Sequence, residues 1–239
     1  MSTLSTVKAQ LQNLIDISNR VTGKSDTDLT GVVNTLVNER DSFITGDTSE
    51  EIYSEVTKVG RYGLAGKPNL ISVTLPNVID IGYQGLSNNI SLKNVNIPNA
   101  TNLDTHVFYG DTGLESISLP SISYLASNTF NGCTSLKIVS LSVLGSIGSN
   151  CFTNCNEFAM LIIKNKISIA SLGNINSFNN TPIASGTGYI YVPRNLIESY
   201  KTATNWATFA SQFRALEDYT VDGTIDGELD WDKVNGGTA

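Results

Sequence analysis

At 239 residues, 40% of them hydrophobic and 15% charged, the chain has the length and composition of a folded protein with a sizeable core. A net charge of −7 with a pI near 4.7, and no basic run, weighs against nucleic acid or an anionic membrane as partner. No apolar run approaches the ~20 residues that span a bilayer, no basic-then-apolar leader follows Met1, and Cys133, Cys151 and Cys155 are too few and too clustered for a disulfide framework. The chain is therefore expected to insert in no membrane and, unless a leader has been removed, to stay out of the secretory route.

Residues 3–20 carry Leu4, Val7, Leu11 and Leu14 on one helical stripe, with Ile15 beside them. Asn19-Arg20-Val21-Thr22-Gly23 supplies a stop and a turn. Ser25 to Asp28 can cap a second helix that runs through Leu29, Val32, Val33, Leu36 and Val37 to about Arg40. Residues 1–40 thus read as a helical hairpin whose Leu4-Val7-Leu11-Leu14 seam either caps the first coil of a downstream solenoid or packs on copies of itself. Residues 41–53 are polar, contain Gly46, and read as a linker.

From Leu70 to Ile163 one pattern returns every 22 residues. Leu70, Leu92, Leu114, Leu136 and Phe158 open the units, then come Val73, Val95, Ile117, Val139 and Leu161, then Leu75, Ile97, Leu119, Leu141 and Ile163. The step L-x-x-V-x-L alternates inward apolar with outward small polar residues, the period of a strand. Pro76, Pro98 and Pro120 turn the chain out of the ladder, a role lost at Ser142 and Lys164. Further inward columns are Val78, Ala100, Ile122 and Leu144, then Ile81, Leu103, Leu125, Ile147 and Ile169, then Leu86, Phe108, Phe130 and Phe152. One such unit cannot enclose its own apolar side chains, whereas stacked units share a continuous core. One repeat earlier Val56, Val59, Gly60 and Leu64 match, but Glu51 and Tyr53 break the strand columns, as a terminal coil would.

After Ile169 the register breaks in a loop holding Asn174, Ser177, Asn179 and Asn180. Tyr189-Ile190-Tyr191-Val192-Pro193 restores a last strand, with Val192-Pro193 in the place of Leu75-Pro76. A helix from Arg194 to about Ala203, and a second from Asn205-Trp206 through Phe209 and Phe213 to Leu216, present Tyr200, Trp206, Phe209 and Phe213 as an apolar closing face. Residues 194–218 are thus expected to be a helical cap and 219–239 an acidic tail. The fold class is α+β: a solenoid over 54–193 built on a parallel sheet of 22-residue repeats, with an N-terminal helical hairpin and C-terminal capping helices.

The step L-x-x-V-x-L-P, with I-G after it and then Phe130-Asn131-Gly132-Cys133-Thr134-Ser135-Leu136-Lys137, resembles the BspA-like leucine-rich repeats. The series Y-x-Y-V-P, Y-K, N-W resembles the closing segment of the same family, so the resemblance covers roughly residues 54–218. It implies a leucine-rich-repeat solenoid. Because such repeats occur on bacterial surface adhesins and in phage-encoded proteins, it also implies a binding role without naming the ligand. Leu14-Ile15, Asn19, Thr22-Gly23, Asp28-Leu29-Thr30 and Leu36 resemble the N-terminal segment of some tailed-phage virion proteins. That second resemblance implies attachment to other virion proteins through residues 1–40, and a homo-oligomer that in phage appendages would be a trimer.

No convergent catalytic set, cofactor motif or metal-ligand set stands out, so no enzyme activity is expected. His106 falls in a column otherwise filled by Gln84, Asn128 and Asn150, a loop position that accepts any hydrogen-bonding side chain. Asp222, Asp226, Glu228 and Asp230 lack the spacing of a calcium loop and read as a solvated tail. Cys133 and Cys155, one repeat apart, read as stacked buried thiols, with a disulfide or metal site as the alternative. A binding face is easier to build. The outward strand residues form two columns, Ser72, Asn94, Ser116, Ile138, Met160 and Thr74, Asn96, Ser118, Ser140, Ile162. Their hydroxyls and amides suit a glycan or a polar protein surface. Ile138, Met160 and Ile162 at the far end imply a cover, by the tail, a neighbouring subunit or a partner. The expected function is that of a non-enzymatic phage virion protein, a fibre or tail-tip component, that binds a host-surface glycan or protein. The alternatives are a bacterial cell-surface adhesin and a purely structural virion decoration or spacer.

Overall fold

The computed structural model describes residues 50–218, with the backbone of 220–221 and 224–225. These belong to the second of two units into which the chain divides at Gly46/Asp47. The expected hairpin at 1–40, including Leu4, Val7, Leu11 and Leu14, lies outside the described residues, as do most of the expected linker and the acidic tail.

Each coil lays down a longer strand and then a two-residue one. In chain order these are β1 (Glu50–Ile52) and β2 (Lys58–Val59), β3 (Ser72–Thr74) and β4 (Asp80–Ile81), β5 (Asn94–Asn96) and β6 (Asn102–Leu103). They continue as β7 (Ser116–Leu119) and β8 (Tyr124–Leu125), β9 (Ile138–Leu141) and β10 (Ser146–Ile147), β11 (Met160–Ile163) and β12 (Ser171–Leu172). Like strands pair in parallel one repeat apart, Val73 with Val95 and Ile117 with Val139 in the longer set, Ile81 with Leu103 in the shorter. The alternation of the repeat explains the burial: Val73, Leu75, Ile117, Leu119, Val139 and Leu141 point inward and are closed from solvent. After each proline the next side chain reaches back to the coil before, Asn77 Nδ2 to Ser54 O and Asn99 Nδ2 to Pro76 O at 2.7 Å, and Ser121 Oγ to Pro98 O at 3.2 Å. These bonds satisfy carbonyls that the turn takes out of the ladder.

The third edge of the coil carries the densest packing. Phe108, Phe130, Phe152 and Phe178 stack along the solenoid with centroids 5.2, 5.6 and 5.6 Å apart. Beside them runs a buried polar column, Lys67, Asn89, Asp111, Cys133 and Cys155. Lys67 N donates to Asn89 Oδ1 at 2.7 Å and Asn89 N to Asp111 Oδ1 at 2.8 Å. Asn89 Nδ2 donates to Leu64 O at 3.0 Å and also to Leu86 O. Cys133 Sγ and Cys155 Sγ point at the Phe108 and Phe130 carbonyls at 2.9 and 3.0 Å. All three cysteines are free and buried, so the stacked-thiol expectation holds. Burial pushes the Cys133 thiol up and that of Cys151 to about 12, which keeps both protonated and unreactive.

Two ladders are interrupted at one place. The longer strands fall into a β1-β3-β5 block and a second block that starts at β7, and the shorter ones break between β6 and β8. Across that junction the third edge carries the backbone bonds, His106 N to Ser127 O, Phe108 N to Thr129 O and Gly110 N to Asn131 O, at 3.3, 2.9 and 3.0 Å.

The structure corrects the sequence reading in three places. First, the solenoid begins inside the expected linker: β1 pairs with β3, Glu50 with Ser72 through Ile52 with Thr74, and Tyr53 takes the inward column of Leu75. The backbone ladder tolerates Glu51 there because a terminal strand has a neighbour on one side to satisfy and less core to fill. Second, Ile147 pairs with Leu172, not Ile169, because the loop after Ile163 takes three extra residues and throws Ile167 out to 93% exposure. Third, the second capping helix does not reach Leu216. After β13 (Tyr189–Val192), the helix Ile197–Thr202 and the 3₁₀ segment Trp206–Gln212, the chain extends as β14 (Phe213–Ala215) and pairs with β13. The open strand edge of β13 demands backbone partners that a helix cannot offer. Aromatic closure holds: Trp206 Nε1 donates to Ala170 O at 2.7 Å, Ala170 N donates to Tyr200 Oη at 2.9 Å, and Phe209 meets Phe178 edge to face at 5.0 Å. A short antiparallel pair, β15 (Thr220–Val221) with β16 (Thr224–Ile225), comes after β14.

Candidate functional site

The outward columns lie where strand alternation puts them, but they are not uniformly open. Ser72, Thr74, Ser116 and Ser118 are half-buried, and Asn94 and Asn96 are exposed. Ile138 and Met160 are half-buried, whereas Ser140 and Ile162 are fully covered, at 2% and 0% exposure. The cover expected over Ile138, Met160 and Ile162 therefore exists, and part of it is Leu216, which buries against Ile162 with Ile138, Met160 and Tyr191 around it. Ser140 and Ile162 leave the candidate face as a correction: an outward position on a strand is open to a ligand only where no later segment returns over it.

What remains is a neutral polar strip on β3, β5 and β7. Ser72 faces Asn94 and Thr74 faces Asn96 in register across β3 and β5, and the ladder interruption lies directly beside Asn94 and Asn96. Amide and hydroxyl groups at a strand spacing of ~4.8 Å offer both donors and acceptors in a row. Among the described residues no three His, Cys, Asp or Glu side chains come together as a group that could hold a metal ion.

A second surface escaped the sequence reading. Tyr62, Gln84, His106, Asn128 and Asn150 share one column, and each has a positive φ between 53° and 64°. The column is therefore set by left-handed backbone rather than by tolerance for any hydrogen-bonding side chain. Asn is the ordinary non-glycine choice there, and Tyr is not. Tyr62, Tyr83, His106 and Tyr109 form a chain of rings at 5.5, 5.5 and 5.6 Å, with the Arg61 guanidinium over Tyr62 and Tyr83 at 5.2 and 4.7 Å. The signal in the sequence was the departure of Tyr62 and His106 from the asparagines below them. The column gives a direct test: Asn150→Ala is expected to cost about 1 kcal/mol in chemical unfolding, and Asn150→Gly only a few tenths, because at positive φ Ala has the Cβ that Gly lacks without the short polar side chain by which Asn offsets it. Equal costs would mean that side-chain bonding rather than backbone geometry selects Asn.

Parallel coils with this pairing, a proline-ended strand and a stacked Phe column define a leucine-rich-repeat protein. Residues 57–185, more than half of the chain, match the BspA type leucine rich repeat region in six copies, and the chain belongs to that family. Among solved structures it is similar to a leucine rich repeat protein of T. pallidum, at 21% identity and a TM-score of 0.50, over 56% of this chain and 77% of that one. It is also similar to the pneumococcal vaccine antigen PcpA, at 18% identity and a TM-score of 0.53, over 71% of this chain and 40% of that one. A leucine rich cell surface protein from Faecalibacterium prausnitzii aligns at 20% identity and a TM-score of 0.46, over 51% of this chain and 33% of that one. At these identities the likeness is one of fold. No curated protein matches the sequence.

Proposed function

We propose that the chain is a non-enzymatic binding protein that engages a glycan or a polar protein surface through the outward strip Ser72, Thr74, Asn94, Asn96, Ser116 and Ser118. The observation that carries this is the contrast along the two outward columns: Asn94 and Asn96 on β5 are exposed, whereas Ser140 on β9 and Ile162 on β11 are covered. A solenoid that needed only to be soluble has no use for that division.

The finer placement in this reading is a virion, as a fibre or tail-tip component joined to other virion proteins through residues 1–40 and trimeric through Leu4, Val7, Leu11 and Leu14. Its support is the resemblance of that segment to virion proteins. A bacterial cell surface is the second placement, supported by the occurrence of BspA-type repeats on surface adhesins. Purely structural decoration is the third. Trimeric display would raise weak single-site affinity by multivalency.

The test is binding of the full chain to an array of bacterial surface glycans and to intact bacterial cells, beside a variant carrying Asn94→Ala and Asn96→Ala. Binding to at least one probe, weakened about tenfold or more by the double substitution with the unfolding midpoint unchanged, is the expected result. Undiminished binding by the variant would remove the strip from the site. Solution masses of the full chain and of one starting at Ser49 test the assembly: a trimer and a monomer are expected, and two monomers would withdraw the self-association role of residues 1–40.

A further inference from the structure

The ring chain on the third edge is confined to the first coils. Tyr62, Tyr83, His106 and Tyr109 follow β2, β4 and β6, and the bonds Tyr62 N to Tyr83 O and Gln84 N to Thr105 O, at 3.0 and 3.2 Å, tie their coils together. In the two coils after Tyr109 the same columns hold Ser127, Asn128, Asn131, Ser149, Asn150 and Thr153. The fold therefore does not call for aromatic rings there. Two of them stand against the backbone, since Tyr62 and His106 have φ of 58° and 64°, where Asn is the ordinary residue. Nor does an internal hydrogen bond explain His106, whose Nδ1 is closed from solvent without a partner. The row lies at the surface, with Tyr62 49% and Tyr109 38% exposed. A backbone cost carried at an exposed row of rings points outward, to a ligand.

We propose that this row is a binding site for an acidic polysaccharide, with hexuronic acid units set against the tyrosines and a sugar carboxylate held by Arg61. The Arg61 guanidinium lies over the Tyr62 and Tyr83 rings at 5.2 and 4.7 Å, so its planar fork is ordered before a ligand arrives. Among the described residues Arg61 forms no ion pair, and Asp104, the acid whose charge reaches it, accepts from the Thr105 N–H at 2.6 Å. In a chain of net charge −7 an unpaired guanidinium is a local exception that selects an anion. The rings add the rest. A pyranose has apolar C–H faces and a polar rim of hydroxyls, which match the apolar body and polar tip of tyrosine. Rings one coil apart are 5.5 Å from centre to centre, close to the spacing of successive units in an extended sugar chain. From Arg61 to Asn150 the columns of Tyr62 and Tyr83 hold no aliphatic side chain, and Gln84 and Thr105 beside the rings offer hydrogen bonds. An apolar pocket of the kind that seats peptide side chains is thus missing from these columns, which favours a saccharide over an acidic peptide. The row stands on the third edge and not on the strip of β3, β5 and β7, so the inference does not rest on that reading.

His106 is the only histidine, so its imidazole NMR signals report on the row alone. The full chain is titrated at constant pH with oligomers of galacturonate, mannuronate and glucuronate, beside the neutral glucose oligomer and oligoglutamate. The expected result is a saturable shift of the His106 signals with at least one hexuronate, half-complete at a concentration about tenfold below that of the neutral sugar. Arg61→Gln should abolish that preference, and added salt should weaken the parent's binding. Tyr62→Asn should weaken binding by about fivefold or more without lowering the unfolding midpoint, because Asn suits the positive φ that Tyr does not. That pairing separates loss of a ligand contact from loss of fold. No shift with any of the three hexuronates would overturn the proposal, as would unchanged binding by Arg61→Gln or by Tyr62→Asn. An equal response to oligoglutamate would also overturn it, since the row would then recognise a carboxylate without the sugar.

Discussion

Phe130→Ala is expected to cost about 3–5 kcal/mol, the range for removing a fully buried aromatic ring from a core that cannot collapse around the gap. Phe130 is closed from solvent and lies between Phe108 at 5.2 Å and Phe152 at 5.6 Å, with interplanar angles of 4° and 5°. Its position makes the loss larger in effect than its area. Both ladders are interrupted between the coils that hold Phe108 and Phe130, so this ring contact adds to the third-edge backbone bonds and to the Ser121–Pro98 and Cys133–Phe108 bonds that cross there. In a solenoid each coil depends on its neighbours, and a weakened interface divides the cooperative unit. Urea unfolding of the variant should therefore broaden or split. Amide exchange should rise first at Phe108 and Gly110, whose N–H groups cross the junction. Phe130→Leu, which keeps most of the volume, should recover the larger part. A loss below about 1 kcal/mol with a single sharp transition would show that the junction is held by other contacts.

Asp111→Asn is expected to stabilise the protein at neutral pH by about 1–3 kcal/mol, against the usual direction for a substitution in a core. Burial pushes the Asp111 carboxyl well above the ordinary carboxylate range, opposed only by the Asn89 N–H that bonds Oδ1. Oδ2 is buried without a partner. The direction of the shift sets the sign. A carboxyl with a raised folded pKa contributes its full stability below its unfolded pKa of ~3.9, and the contribution falls as pH rises toward the folded value. Asn cannot ionise, retains an oxygen for the Asn89 N–H, and supplies an amide, as Asn89 does one coil earlier toward Leu64 O and Leu86 O. Unfolding at pH 4.5 and pH 7.5 measures it: the gap between variant and parent should widen with pH. A gap that stays constant would mean that Asp111 titrates as a solvent-exposed acid.

Much of this arrangement is legible in the residues themselves because the inward columns recur at fixed spacing and each coil is a local unit. The cost of leaving Leu70, Val73 or Phe108 in water depends on the residue, not on which distant segment covers it. For that reason the strand positions, the proline turn and the stacked cysteines could be read directly. The left-handed column could have been read as well, from the asparagines at 128 and 150, had positive φ rather than hydrogen bonding been taken as their common property. The outward columns were legible only in part, since alternation assigns a face but not its accessibility.

The sequence by itself determined the repeat period and the inner columns, which come from hydrophobic spacing along the chain, and it carried the motifs that resemble the BspA-like repeats. Only the tertiary structure decided that pairing starts at Glu50, that Leu172 replaces Ile169, that Phe213–Ala215 is a strand, and that Ile162 faces outward yet lies buried. These depend on open strand edges, paired across 22 to 25 residues, and on the return of Leu216 over Ile162, 54 residues earlier, contacts that no local pattern records.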